Sequence, residues 1–468
     1  MTTIYHSKFK GITKWKALLF ILFFSLTSCD SFVEVDLPNS QLTGPTVFKE
    51  RATADAAMGH VYANIRDQGL LSGTSFGLSC NLGAYADELD FYGDTSYSTL
   101  YFYNNNLLPS NTAVGNYWNT AYNQIYAANA IYEGIQTSTT LSSSDSNNLK
   151  GEALFVRGLL HFYLANLYGN IPYVTTTDYR VNSTVSRLSI SEVYKRIQAD
   201  LEQAVLLLPD NYFTSGRARP NKSAANALLA RCYLYSGSWA EAANAASTVL
   251  NQTNLYQTEP NLEKVFLNEC TETIWQLPPA AEGRNTDEAA TFTLFSGPPL
   301  TFALSDSFME AFSPNDLRRT FWIGEVTNGS HTWFYPRKYK QTTVAATASE
   351  YAIVLRLPEQ YLIRAEARVH QEDLIGAKED LNQVRQRAGI GETTALSKQQ
   401  LLEAILLERR LELFTEYGHR FFDLKRNGKL DAVLSTIKIG WNSNDSLLPI
   451  PESELSVNPN LLPQNPGY

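Results

Sequence analysis

Residues 221–250 read NKSAANALLARCYLYSGSWAEAANAASTVL, and residues 358–387 read PEQYLIRAEARVHQEDLIGAKEDLNQVRQR. Each segment carries apolar side chains at helical spacing on both sides of a short polar break, the pattern of two helices joined by a tight turn. Offset by 135 positions they superimpose, with Leu228 on Ile363, Ala230 on Ala365, Leu234 on Val369, Trp239 on Leu374, Ala242 on Ala377 and Val249 on Val384. Small residues recur where two helices must approach closely, and larger apolar ones where the groove between them must be filled. The fold class that follows is mainly α, a scaffold of repeated helical hairpins.

The hairpins resemble tetratricopeptide repeats, with Ala230 and Ala242 permitting the helix contact. A looser third unit pairs residues 151–168 with 191–208, and two more helices fit residues 51–67 and 117–136. The second of these sets Trp118, Tyr122, Ile125, Ala128 and Ile131 on one stripe, which reads as core packing. Between the helices lie two long stretches rich in Gly, Asn, Thr and aromatics, residues 69–116 and 252–350. Stretches of that length carry a functional face or short strands of their own.

At the amino terminus Lys8, Lys10, Lys14 and Lys16 precede the apolar run ALLFILFFSL (17–26), which reads as a secretory leader covering residues 1–28. The run is too short to cross a hydrocarbon core of about 30 Å, and no later stretch replaces it. Leu26-Thr27-Ser28-Cys29 resembles a bacterial lipobox, so Cys29 is the expected lipidation site, where several acyl chains give stable anchoring. Beyond the leader the expected organisation is an N-terminal region with helical repeats (29–250) and a C-terminal region with ligand loops and a further repeat (251–468).

The composition is 44% hydrophobic and 18% charged, which suits a large folded core rather than a disordered chain. Removing the four leader lysines from 38 basic residues leaves 34 against 47 acids, a net charge of about −13. That balance excludes nucleic acid as an expected partner, since phosphate neutralisation needs basic patches. Cys80, Cys232 and Cys270 are the remaining cysteines, an odd number without CxxC spacing, so neither a disulfide framework nor a zinc site is indicated.

Several segments, taken in order, resemble the SusD/RagB nutrient-binding lipoproteins of Bacteroidetes. They are WNTAYNQIYAANAIYEGI (118–135), GEALFVRGLLHFYLANLYGNIPYV (151–174), LPEQYLIRAEA (357–367), LLERRLELFTEYGHRFFDLKRNGKL (406–430) and the tail LLPIPESELSVNPNLLPQNPGY. The acidic start Asp30, Glu34 and Asp36 after Cys29 resembles the surface-export signal of that phylum. The resemblance implies a helical scaffold with a loop-rich ligand face, anchored to the outer membrane and facing outward. It also implies a TonB-dependent, SusC-like transporter as partner and delivery of an oligo- or polysaccharide to it. The alternatives are the peptide-binding component of a peptide importer, an adaptor that binds only protein, and a surface hydrolase.

A glycan site asks for aromatic rings that stack on sugar faces, flanked by groups that hydrogen-bond hydroxyls. The run ADELDFYGDTSYSTLYFYNNN offers Tyr92, Tyr97, Tyr101 and Asn104, and residues 321–340 offer Trp322, Trp333 and Arg337. These are the expected ligand contacts, with Tyr92, Tyr97, Trp322 and Trp333 foremost. No cofactor and no metal is expected.

Three features bear on an enzyme reading. Gly73-Thr74-Ser75-Phe76-Gly77 has the form of a nucleophile elbow, but 68–72 is a poor strand and 78–83 a poor helix. Asp87, Glu88 and Asp90 form an acidic cluster such as glycoside hydrolysis needs across one bond, and such clusters equally cap helices or hold calcium. Glu408, Arg409, Arg410, Glu412, Glu416 and Arg420 read as a structural ion-pair network. The expectation is therefore a binding protein and not a catalyst.

Overall fold

A helix with one apolar stripe must bury it, and a stack of hairpins lets each helix cover its neighbours. The computed structural model describes residues 47–468. The expected leader and the expected lipidation site Cys29 lie outside the described residues. Helices of eight residues or more are α1 (Arg51–Asp67), α2 (Leu78–Tyr85), α3 (Thr112–Thr137), α4 (Ser143–Tyr168), α5 (Ile190–Leu207), α6 (Lys222–Ser236), α7 (Trp239–Leu250), α8 (Leu357–His370), α9 (Leu374–Arg387), α10 (Lys398–Glu412) and α11 (His419–Arg426). From α3 to α9 each helix packs on the next, and α10 lies against α8 and α9. The molecule is mainly helical, as its repeats imply.

The two hairpins legible in the sequence are α6–α7 and α8–α9. Of the superimposed positions, Trp239 and Leu374 are half-buried and all the others are buried. Each hairpin has its own local signals. Asn221 caps α6 by accepting from the Ala224 amide, and Gly237, at φ +75°, ends it in the left-handed region. Asp373 caps α9 through the Gly376 amide.

Two excursions interrupt the stack. One leaves after α7 and returns at α8, which pack together although 251–356 separate them. Strand β2 (Thr273–Leu277) pairs antiparallel with β6 (Ala352–Arg356) and closes this excursion at its base. The other lies between α1 and α3 and contains α2 and β1 (Leu89–Phe91). In the larger excursion, β3 (Phe302–Leu304) pairs with β1 in the register Leu89↔Leu304 and Phe91↔Phe302, which joins the two. A hairpin of β4 (Ile323–Thr327) and β5 (Thr332–Pro336) packs beside β3. The long stretches are thus built of short strands, short helices and turns. Residues 78–83, expected to be a poor helix, lie in α2, all of whose side chains are buried. With no exposed face, α2 shows no amphipathic stripe. The described residues form one compact unit, and position 250 is the end of α7 within it.

An apolar cluster of Phe91, Phe266, Phe302, Phe308, Trp322 and Phe414 supports the excursions. Beside it lies the charge-rich run, buried as a network. Glu412 accepts from Arg318, Arg356 and Arg387, Glu416 pairs with Arg356 and Lys338, and Glu272 pairs with Arg387. Arg410 and Arg420 both bind Asp87, at 2.8 and 2.7 Å. Burial alone would raise the Glu412 carboxyl, but Arg387, Arg356 and Arg318 overcome it and hold the group well below the usual carboxylate range. Cys80, Cys232 and Cys270 are free and buried.

Removing Glu412 leaves guanidinium groups from three elements buried without their common partner. Glu412→Gln is expected to cost about 3–5 kcal/mol of stability. Urea denaturation with unchanged far-UV CD in the native baseline checks this.

Candidate ligand-binding face

Alternation along β1 buries Leu89 and Phe91 and turns Asp90 and the following Tyr92 outward. The Tyr92 amide continues the ladder by donating to the Thr301 carbonyl at 2.7 Å. On the neighbouring hairpin, Trp333 and Tyr335 fall on one side of β5, opposite Val326 and Gly324 of β4. The Tyr335 ring lies directly over Gly324, where a Cβ would come within 2.2 Å of it. Trp333 is seated in the same way against Gly297, where a Cβ would meet its six-membered ring at 2.2 Å. Both positions need glycine because a ring occupies the side-chain space.

These contacts place Tyr92 and Trp333 against the same turn, residues 297–301. Burial and then Asp90 raise the Tyr92 phenol, and the nearby Trp333 side chain opposes them. Tyr97 continues the face through an edge contact with Phe91, centroids 5.9 Å apart. Tyr92, Tyr97 and Tyr101 are 45%, 38% and 38% exposed, enough for a ring face to meet ligand. Tyr101 lines a shallow cavity of about 320 Å³ with Ser96, Ser98, Leu108 and Asn111. Asn104 is exposed at the end of the short helix Thr99–Tyr103, and Arg337 is exposed just beyond β5.

The hydrogen-bonding group beneath the rings is Asp90. Tyr103 donates to it at 3.3 Å, and the Lys438 ammonium stands 4.0 Å over the Tyr103 ring. Burial raises the Asp90 carboxyl against the pull of Lys438, and burial lowers Lys438 to about 8. The sequence also missed the loop after the short helix Asp287–Phe292. It carries Gly297, with Phe295 and Leu300 on either side of it 79% and 85% exposed. The available signal was two large apolar residues flanking the turn Ser296-Gly297-Pro298-Pro299.

Trp322 does not belong to this face. It is fully buried at the end of the short helix Leu317–Trp322, and its indole N–H donates to the Leu262 carbonyl at 2.9 Å. Lys338, Arg387 and Arg356 stand 5.3, 5.5 and 5.8 Å from its ring. Arg318 and Trp322 are one helical turn apart, so the turn that buries the guanidinium in the ion network buries the indole with it.

The acidic cluster is likewise dispersed. Asp87 is held by Arg410 and Arg420, Glu88 accepts from the Thr415 amide at 3.3 Å, and only Asp90 faces the aromatic surface. Burial, reinforced by Asp87, pushes Glu88 up to about 7, and burial pushes Glu288 up to about 7. Both are fully enclosed and unable to meet a polymer. Ser75 precedes a real helix, α2, but irregular turns and not a strand lead into it, so the elbow geometry is absent there. Among the described residues no group of His, Cys, Asp and Glu has metal-binding geometry.

Two family models match the chain. One, described as starch-binding and associating with the outer membrane, covers residues 79–234, and the SusD family model covers residues 322–468. A SusD-like protein of Formosa agariphila is 27% identical, over 97% of this chain and 100% of its own length. Another from the same organism is 26% identical, over 96% and 98%. A solved SusD superfamily structure from Bacteroides vulgatus superimposes with a TM-score of 0.79 at 21% identity, covering 90% of this chain and all of that one. A solved laminarin-binding SusD-like protein gives 0.76 at 25% identity, again covering 90% of this chain and all of that one.

The raised Glu288 carboxyl has a consequence for stability. A folded value of about 7 against 4.5 means the protonated form fits the fold, so its contribution is complete below about pH 4.5 and lost as pH rises through about 7. Glu288→Gln is expected to match wild type near pH 4 and to melt higher above pH 7. Thermal melts across that window check it.

Proposed function

This chain belongs to the SusD/RagB family of outer-membrane-associated binding proteins, and from that premise we propose that it captures a neutral oligo- or polysaccharide on the Tyr92–Trp333 face. The observation that carries the reading is the joining of two excursions into one aromatic surface with a carboxylate beneath it. Rings at Tyr92, Tyr97, Tyr101 and Trp333 offer stacking, while Asp90, Asn104 and Arg337 offer hydrogen bonds to hydroxyls. A sugar polymer suits such a face because each residue presents one apolar side and a rim of hydroxyls, so many modest contacts add along its length. Arg337 is the one cation among these candidates, which favours a neutral polymer over an acidic one.

The remaining parts of the proposal follow from family membership and the leader. Cys29 carries the lipid anchor and holds the chain to the outer membrane facing the exterior. The captured glycan passes to a TonB-dependent, SusC-like transporter. The helix stack gives the scaffold its rigidity and a surface for that partner. Division into a repeat-bearing N-terminal region (29–250) and a C-terminal region bearing most of the ligand loops (251–468) describes the order in which the chain builds this body.

The test uses the Cys29→Ser protein without its leader, with laminarin, starch, other neutral glycans and a peptide mixture in affinity electrophoresis and calorimetry. Tyr92→Ala with Trp333→Ala removes two stacking rings worth about 0.5–1.5 kcal/mol each, so glycan affinity should fall about 5–150-fold with the melting temperature nearly unchanged. Unaltered affinity in the double variant, or binding of peptides alone, would overturn the reading. Trp322→Ala behaves oppositely, costing about 3–5 kcal/mol of stability through its empty core position.

A further inference from the structure

A second cleft, of about 490 Å³, opens where α3 meets the loop after α4 and the C-terminal helix Glu452–Val457. It shares no residue with the Tyr92–Trp333 face. Trp118 and Tyr122, centroids 4.9 Å apart, form its floor. The Trp118 indole stands edge-on to Tyr168 at 5.1 Å, and the Tyr122 hydroxyl donates to the Pro172 carbonyl at 2.8 Å, so neither ring is free to turn. One turn further along α3, Tyr126 is 52% exposed, and Asn119 and Asn123 present exposed amides on the same side of the helix.

The facing wall is fixed as firmly. Asn458 donates to the Val185 carbonyl at 2.8 Å, and Asn182 donates to the Thr176 carbonyl at 2.8 Å. Among the described residues Glu454 is the only charged side chain in the lining. An anionic ligand would meet a carboxylate with no cation to balance it, which excludes phosphates and acidic peptides. Rings held in place, amides on both walls and a volume within the range of small-molecule sites describe recognition of a neutral, hydroxyl-rich ring.

We propose that this cleft is a second saccharide site, taking a short neutral stretch of glycan against Tyr126 and Tyr122. The proposal rests on the saccharide reading of the first face, and it adds a separate point of attachment on the same chain. Two weak sites engaged by one polymer raise the effective concentration at each, so a long glycan is held more tightly than a short one without new contacts at either.

The experiment uses laminarin and the other neutral glycans of the panel, with saturation-transfer NMR and calorimetry on four proteins. These are the otherwise unaltered protein, Tyr92→Ala/Trp333→Ala, Tyr126→Ala/Asn123→Ala, and the combination. Expected is a residual saccharide signal in Tyr92→Ala/Trp333→Ala that disappears in the combined variant. Tyr126→Ala/Asn123→Ala alone should weaken polymer binding severalfold at unchanged melting temperature, and Tyr126→Phe should retain it. Absence of a residual signal, or one indifferent to Tyr126 and Asn123, overturns the second site. If Tyr92→Ala/Trp333→Ala binds as the unaltered protein does while Tyr126→Ala/Asn123→Ala abolishes binding, the first face falls and the second site stands.

Discussion

The carboxylate of Glu412 is the point on which the architecture closes. It lies at the end of α10 and gathers three guanidinium groups, from Arg387 at the end of α9, Arg356 at the end of β6 and Arg318 on the short helix beneath the β4–β5 hairpin. Two of these arginines come from the large excursion and one from the helix stack. Burying so many charges is expensive, and the arrangement is tolerable because each cation meets carboxylates on more than one side. Arg356 reaches Glu416 as well, and Arg387 reaches Glu272 at the foot of β2. Hydrophobic contact alone would hold the excursion near the stack. The directional pairs also fix its orientation, which is what a binding face built on three-residue strands needs.

The helical scaffold was legible because its signals are local. Hairpin periodicity, small residues at the close approach and capping residues at Asn221 and Asp373 all lie within one 30-residue segment each. The face was legible as chemistry but not as geometry. Tyr92 is an exposed ring and Trp333 a half-buried one in the stretches expected to carry them, but their nearness depends on β1 pairing with β3, two strands of three residues separated by some two hundred positions. Strands that short have no period to detect. Phe295 and Leu300 are not legible in the sequence for the same reason, since their exposure follows from where the Gly297 turn rests on Trp333.

Trp322 and Trp333 show how the same residue type takes opposite roles within one short stretch of chain. Trp333 sits on a two-stranded ribbon with one side open, so alternation leaves part of its ring accessible. Trp322 ends a helical turn that also carries Arg318, and a cation committed to buried carboxylates takes its helical neighbour inward. The pair Arg318 and Trp322 at i and i+4 was visible in the sequence. Its meaning depended on knowing that Glu408 and Glu412, some ninety residues later, wait in the interior to receive the arginine. Helix α2 makes a parallel point. A helix buried on every side shows no stripe, and sequence patterning is silent where tertiary burial is complete.

The division of labour between stack and excursions has a physical logic. A neutral glycan offers no charge to steer or hold it, so affinity must come from summed weak contacts, and these are useful only if the rings are already in place. Three rings at the proposed face are held from below. Trp333 rests on Gly297, Tyr335 on Gly324 and Tyr97 against Phe91, while Asp90 is fixed by Tyr103 with Lys438 above that ring. The same economy marks the second cleft, where Tyr122 is tied to a carbonyl and Trp118 is wedged against Tyr168. In both places ordering of these aromatic groups is completed on folding and not at the moment of binding. Weak contacts to a flexible polymer can then accumulate without the entropic cost of arranging the protein side.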